Sequence, residues 1–343
     1  MNFTSDNAYG VAPEILAAIA AANEGAAASY GGDAITARLQ DRFSRLFEHE
    51  VAVFPVATGT AANALALATL TPQHGAVFCH AQSHIAVDEC GAPEFYTHGS
   101  KLVGIEGAHA KLTPDSLEAA IGRLSKGDVH SVQPATISIT QATERGAVYS
   151  RDEVGAIAQL AKKHGLKLHV DGARFANALA HLKCTPADIT WRAGVDVLSF
   201  GATKNGAMAA EAVVFFDAKL AGDFAYRRKR GGHLLSKMRF VSAQLEAYVM
   251  DDFWLKQAAR ANLLAENLAT GLRDVAGVEI TSPVQANAVF ARLPDETVKR
   301  LRQAGARFYD WEKSQDGRTV VRLVTSFATP QDAVAQFIVA AKG

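Results

Sequence analysis

Two short apolar runs, residues 166–170 and 195–200, fix the centre of this chain. Each has the length of a buried strand, and each ends in residues with reactive side chains. Asp171 and Arg174 follow the first; Thr203 and Lys204 follow the second. A polar segment of helical length lies between them. Strand, helix, strand describes a βαβ unit, whose two strands run parallel. In an open α/β sheet, ligands bind outside the carboxyl ends of the strands. Asp171, Arg174 and Lys204 are therefore expected to converge on one crevice. At 343 residues, 49% of them hydrophobic, the chain is long enough for a large domain and a smaller one.

A carboxylate, a guanidinium and a lysine in one crevice point to pyridoxal phosphate. The lysine would hold the cofactor's aldehyde as a Schiff base. The aspartate would pair with the pyridinium nitrogen, so that the ring acts as an electron sink. Each residue alone has a plainer reading. A lysine in a polar loop is ordinarily a solvated charge, and an aspartate after a strand ordinarily caps a turn. A second signal lies at 51–70, where an apolar strand runs into Thr58-Gly59-Thr60 and then a helix of small residues. The free N–H groups and positive dipole end of such a helix suit a phosphate, with Gly59 allowing close approach and Thr60 adding a hydroxyl. An ordinary helix cap looks the same. No Walker loop follows, and no strand is followed by GxGxxG, which removes support for a nucleotide-dependent oxidoreductase.

VDGARFANAL followed by DVLSFGATKNG resembles the low-specificity L-threonine aldolases. The resemblance extends to SDNAYG, YGGDAITARL, TGTAANALAL, SHIAVDECGAPEF, ITQATERGAVY and VRLVTSF, in the family's order and over nearly the whole chain. It implies an α/β fold of the aspartate-aminotransferase type, pyridoxal-phosphate fold type I. The large domain, residues 1–245, would hold a mixed, mostly parallel sheet. Residues 246–343 would form a small α+β domain, with residues 1–25 partly packed against it. The implied reaction is reversible aldol cleavage of L-threonine, L-allo-threonine and related β-hydroxy-α-amino acids to glycine and an aldehyde. Lys204 would anchor the cofactor, Asp171 would pair with its ring nitrogen and His84 would stack on the ring. Gly59 and Thr60 would hold the phosphate, with Thr203 helping. Ser5, Arg174 and Arg322 would hold the substrate carboxylate, and His84 is the first choice to take the hydroxyl proton. No metal is implied.

The resemblance is imperfect at two points. The family usually shows YGDD where this chain has Tyr30-Gly31-Gly32-Asp33, in a loop that reaches a neighbouring subunit's site; Tyr30 is expected to touch substrate there. Many relatives carry a histidine at or near Thr143. Here Gln141, Thr143 and Glu144 end the strand instead, facing the crevice. Arg227, Arg228, Lys229 and Arg230 read as a solvated helix face, or with Lys237 as the source of a phosphate contact across a subunit boundary. The family implies a dimer-built site, commonly in a homotetramer. Elimination or racemisation at the same ring, or a non-catalytic binding protein, are the alternatives; the second needs neither Lys204 nor Asp171.

Lys+Arg and Asp+Glu both number 35, which gives no electrostatic case for nucleic acid or an acidic membrane as partner. Cys79, Cys90 and Cys184 show no CxxC spacing and read as buried thiols in a reducing, cytoplasmic setting. No basic-then-apolar leader is visible at the start. Residues 51–87 contain no Asp, Glu, Lys or Arg, but Pro55, Gly59, Asn63, Pro72 and Gly75 interrupt them. A buried helix and strand are expected there rather than a membrane span. Residues 238–272 read as one long helical tract leading into the small domain.

Overall fold

The two apolar runs form neighbouring parallel strands at the middle of a seven-stranded sheet. The structure, a computed structural model, describes residues 1–313 and 316–343. The strands are β1 (Ala52–Val56), β2 (Gly75–His80), β3 (Lys101–Ile105), β4 (Gln133–Thr140), β5 (Lys167–Gly172), β6 (Val197–Gly201) and β7 (Glu211–Phe215). Their order is β1-β7-β6-β5-β4-β2-β3, and only β7 runs antiparallel to its neighbours. All five residues of β6 are buried, which is why that run is apolar without alternation. Gly201 ends β6 where a Cβ would lie 2.7 Å from the Ala173 oxygen. The backbones after β5 and β6 thus pass closer than side chains would allow, and this brings the Asp171 and Lys204 loops together.

Helix Gly59–Leu70 buries eight consecutive residues, Ala61 to Ala68, against the sheet. This accounts for the uncharged run at 51–87. No helix among the described residues is long and apolar enough to cross a membrane. Phe43, Phe47, Phe175, Phe200, Tyr248 and Trp254 interlock edge-to-face and tilted under the sheet. Such aromatic pairs add about 0.5–1.5 kcal/mol each beyond their buried area.

A second sheet is formed by β8 (Glu279–Ile280), β9 (Ala288–Pro294), β10 (Tyr309–Lys313) and β11 (Arg318–Val324), antiparallel throughout in the order β10-β11-β9-β8. Residues 1–3 join its core: Phe3 is fully buried there, and Val324 N–H donates to the Phe3 oxygen. Ile15 already belongs to the large core.

The tract expected as one helix is two, Arg239–Val249 and Phe253–Arg273. Asp251 and Asp252 between them are left-handed, at φ 50° and 56°, a conformation that short polar side chains tolerate better than others. The second helix carries Trp254 and Ala258 in the large core and Leu264 to Leu272 in the small one. The buried-thiol expectation holds for Cys79 only; Cys90 is exposed and Cys184 half-buried.

Candidate active site

Lys204 sits in the turn after β6, and that turn is held from below. Asn205 Nδ2 donates to Tyr248 Oη and the Trp254 oxygen, both at 2.8 Å. Gln244 Oε1 accepts from the Met208 and Ala209 N–H groups. Glu211 on β7 accepts from Ala202 N–H at 3.0 Å, and burial pushes its carboxyl up to about 7. The Lys204 ammonium itself has no hydrogen-bond or ion-pair partner among the described residues. Burial, then the charge of Arg174, pushes its pKa below the ordinary lysine value. A larger neutral fraction makes the amine a better nucleophile.

Asp171 ends β5, buried, with Oδ2 accepting from Asn63 Nδ2 at 2.8 Å and Oδ1 from Ala173 N–H at 3.0 Å. His169, two residues earlier, lies between Ser138 and Ser199, 2.9 Å from each hydroxyl; burial drops its pKa to about 4 and keeps it neutral. Asn63 Nδ2 also donates to Glu89 Oε1 at 2.9 Å. Glu89 Oε1 in turn lies 2.8 Å from His84 Nδ1. One amide nitrogen therefore ties the Asp171 carboxylate to the carboxylate that orients His84. The hydrogen bond to Glu89 raises the His84 pKa, and His84 Nε2 has no partner among the described residues. Glu89 is thus an internal partner of the site. Glu89→Gln should lower the His84 pKa, read as a downward move of its imidazole NMR titration; an unmoved titration would deny the coupling.

Helix Gly59–Leu70 presents its N-terminus to the same cleft, which Gly59, Asn63, His84, Glu144, Asp171, Arg174 and Lys204 line with others. Thr58, not Thr60, is the N-cap, and its hydroxyl accepts from Ala61 N–H. The N–H groups of Gly59 and Thr60 have no partner among the described residues. A Cβ added at Gly59 would meet nothing within 4 Å. Thr203 Oγ1 is engaged by the Ala210 backbone, at 3.2 and 3.4 Å.

On the opposite side, Arg174 donates through Nε and Nη2 to the buried Asp6 carboxylate at 2.8 and 3.1 Å, and Asn287 Nδ2 donates to the same carboxylate at 3.0 Å. Burial opposes ionisation of Asp6, but Arg174 and Lys204 outweigh it and hold the pKa below the ordinary aspartate value. Ser5 beside it caps the short helix Asp6–Ala8 and accepts from Asn7 N–H. Arg322, on β11, packs over the Trp311 ring at 5.4 Å and has no carboxylate within ion-pair distance among the described residues. Burial and then Arg174 lower its pKa to about 10. Among the described residues it makes none of the structural salt bridges usual for a strand arginine among apolar neighbours.

Tyr30 is half exposed; Lys229 lies 4.4 Å over its ring, and its N–H donates to the Ser236 oxygen. Neither Tyr30 nor Lys229 lines the cleft of its own chain. Of the four clustered cations, Arg228 turns inward over Phe54 and donates to the Pro55 oxygen. Asp6, Asn63, Glu89, Asn287 and Glu211 were not singled out from sequence as site residues. Asn63 left a signal, since it is the one amide in a helix of alanine, leucine, glycine and threonine.

These residues fit pyridoxal phosphate. An amine without a protein partner faces the cleft, a buried carboxylate stands at the adjacent strand end, and a helix N-terminus with open space over its glycine supplies free donors. A mostly parallel seven-stranded sheet with this site at its strand ends, beside a small antiparallel sheet, defines a fold-type-I pyridoxal-phosphate enzyme. The family described as beta-eliminating lyase matches residues 2–296. A low specificity L-threonine aldolase of Pseudomonas sp. (strain NCIMB 10558) is 48% identical over 316 residues, covering 92% of this chain and 91% of that protein. Another, from Pseudomonas aeruginosa, is 48% identical over 90% of this chain and 88% of its own length. The solved structure of Leishmania major threonine aldolase matches with a TM-score of 0.94 at 30% identity, over 99% of this chain and 98% of that one. The chain belongs to the beta-eliminating lyase family, among the low specificity L-threonine aldolases.

Proposed function

We propose that this chain cleaves L-threonine, L-allo-threonine and related β-hydroxy-α-amino acids to glycine and an aldehyde, reversibly and with pyridoxal phosphate. One observation carries the reading. A lysine amine with no partner among the described residues and a hydrogen-bonded aspartate stand at adjacent strand ends in one cleft, in a chain 48% identical to a low specificity L-threonine aldolase. The test is aldehyde release from L-threonine by the purified protein, with glycine in equal amount; a yellow protein that releases no aldehyde would keep the cofactor and lose the substrate.

When bound, pyridoxal phosphate supplies an electron sink for the pair left on Cα as the Cα–Cβ bond breaks. Lys204 would be its covalent anchor and Asp171 the partner of its ring nitrogen, with Asn63 and Ala173 fixing that carboxylate. The Gly59 and Thr60 N–H groups would hold the phosphate. Arg322, which has no carboxylate within ion-pair distance among the described residues, would take the substrate α-carboxylate as a bidentate pair. Arg174 has two donors committed to Asp6 and contributes its remaining donors and charge beside Ser5. Fixing the carboxylate turns the Cα–Cβ bond toward the ring face. Lys204, once displaced by substrate, is the group in the cleft able to return a proton to Cα.

Gly59→Ala tests the phosphate cradle without disturbing the fold, because its Cβ would enter open space. Its affinity for pyridoxal phosphate, read by fluorescence titration of the apo-protein, should fall about tenfold, or about 1.4 kcal/mol, with thermal stability unchanged. Unchanged affinity would place the phosphate elsewhere. We propose further that a partner subunit completes each site with its Tyr30 loop and cationic segment, in a cytoplasmic homotetramer. The stacking of Lys229 on Tyr30, away from their own cleft, supports this.

A further inference from the structure

Thr143 does not enter the cleft. Its hydroxyl donates to the His109 oxygen at 2.8 Å and accepts from Ala147 N–H at 3.1 Å, within its own turn. The next residue, Glu144, does line the cleft, beside His84, Thr140 and Ala142 and in the same cavity as Asp171, Arg174 and Lys204. Its two oxygens differ. Oε1 accepts from His84 N–H and from Thr140 Oγ1, both at 2.9 Å. Oε2 is buried and has no hydrogen-bond partner among the described residues. A buried acceptor left unsatisfied costs about 1–3 kcal/mol, more when charged, so it needs a reason.

Resting on the aldolase reading above, we propose that Glu144 Oε2 is the catalytic group that takes the β-hydroxyl proton in cleavage and returns it in the reverse direction. With two donors fixed on Oε1, an added proton has one place to sit, Oε2, and the carboxyl cannot rotate away without losing both bonds. Burial, opposed by the His84 N–H bond and aided by the Asp171 charge, raises this carboxyl to about 7. A group poised there serves in both directions at neutral pH. The His84 ring is less suited to the task, because Glu89 favours its protonated form. Other titratable groups bearing on Glu144 are Cys79 of β2 and Tyr149, whose own titrations it perturbs.

The proton count closes without another reactant. The O–H bond of the substrate breaks to Glu144 Oε2, and its electron pair becomes the second C–O bond of the aldehyde. The Cα–Cβ pair stays with Cα. Lys204, carrying the proton received from the substrate ammonium, delivers it to Cα, and Glu144 sheds the hydroxyl proton to water.

Glu144→Gln keeps the shape and the acceptor that His84 N–H needs, and removes the base. Three readouts on wild type and variant test it. Aldehyde release from L-threonine should fall about 10²-fold. Exchange of the glycine α-proton with deuterated water, which involves no hydroxyl, should stay within about threefold, a change of about 0.7 kcal/mol. Of the carboxyl absorption that titrates near neutral pH in the infrared spectrum of the apo-protein, one component should vanish in the variant while that of Glu211 stays. Equal loss of exchange and cleavage would make Glu144 structural and overturn the proposal, as would undiminished cleavage or an infrared titration unchanged in the variant. Wild type that neither exchanges glycine nor releases aldehyde would refute the aldolase reading itself, and this inference with it.

Discussion

Lys204→Ala will leave a folded protein that releases no measurable aldehyde from L-threonine. The loss should be roughly 10⁴-fold or more, the scale on which removal of a covalent-catalysis residue acts. The fold should survive, because the turn is held by Asn205, Gln244 and Glu211 while the Lys204 ammonium has no partner among the described residues. Its stability should even rise at neutral pH. The folded-state pKa of Lys204 is depressed, so the folded protein binds this proton less readily than the unfolded chain. That penalty is present below the folded pKa and fades as pH climbs toward the unfolded value. Apo wild type should therefore gain stability relative to apo Lys204→Ala as pH rises through the alkaline range. Thermal unfolding of both across that range checks the sign. A variant that retains turnover, or a gap between the two that ignores pH, would contradict the assignment.

Arg322→Ala should lower kcat/KM for L-threonine about 10³-fold. Two hydrogen bonds to a charged carboxylate contribute about 1.5–3 kcal/mol each, and the alanine variant loses both. Arg322→Lys should recover little, because an ammonium offers a point charge where the guanidinium offers a fork. The control is threoninol, which lacks the carboxylate. Wild type and variant should handle it equally poorly. If the variant loses as much on threoninol as on threonine, Arg322 acts on something other than the carboxylate. Arg322 is favoured for this task because it has no carboxylate within ion-pair distance among the described residues, whereas Arg174 already grips Asp6.

The strands and the two principal residues were legible because their signals are local. A run of apolar residues ending in Asp171 or in Thr203-Lys204 states both the strand and the chemistry within a few positions. The family resemblance then supplied roles. The contacts that tune the site were not legible, because each joins distant segments. Asp6, Arg174 and Asn287 come from three parts of the chain, and no spacing relates them. Asn63 reaches Glu89 and Asp171 from a helix that otherwise reads as packing. The break at Asp251-Asp252 is not legible for a different reason: it uses neither glycine nor proline, only two aspartates in a conformation that sequence does not announce. Glu144 was seen at the strand end, but its freedom on one oxygen appears only in three dimensions.

The pairing of the first residues with the small sheet sets an order of events during synthesis. Asp6 meets Asn287 across 281 positions, and Phe3 is bonded to Arg307 and Val324. The segment that holds Phe3 and Asp6 must therefore wait for partners made about 280 positions later. The large sheet can assemble while translation continues, but the amino-terminal wall of the cleft cannot close until β11 has emerged. Contacts this remote in sequence slow folding and prolong exposure of incomplete states. A newborn chain would carry a nearly complete sheet and an open pocket, able to meet cofactor before it can hold substrate.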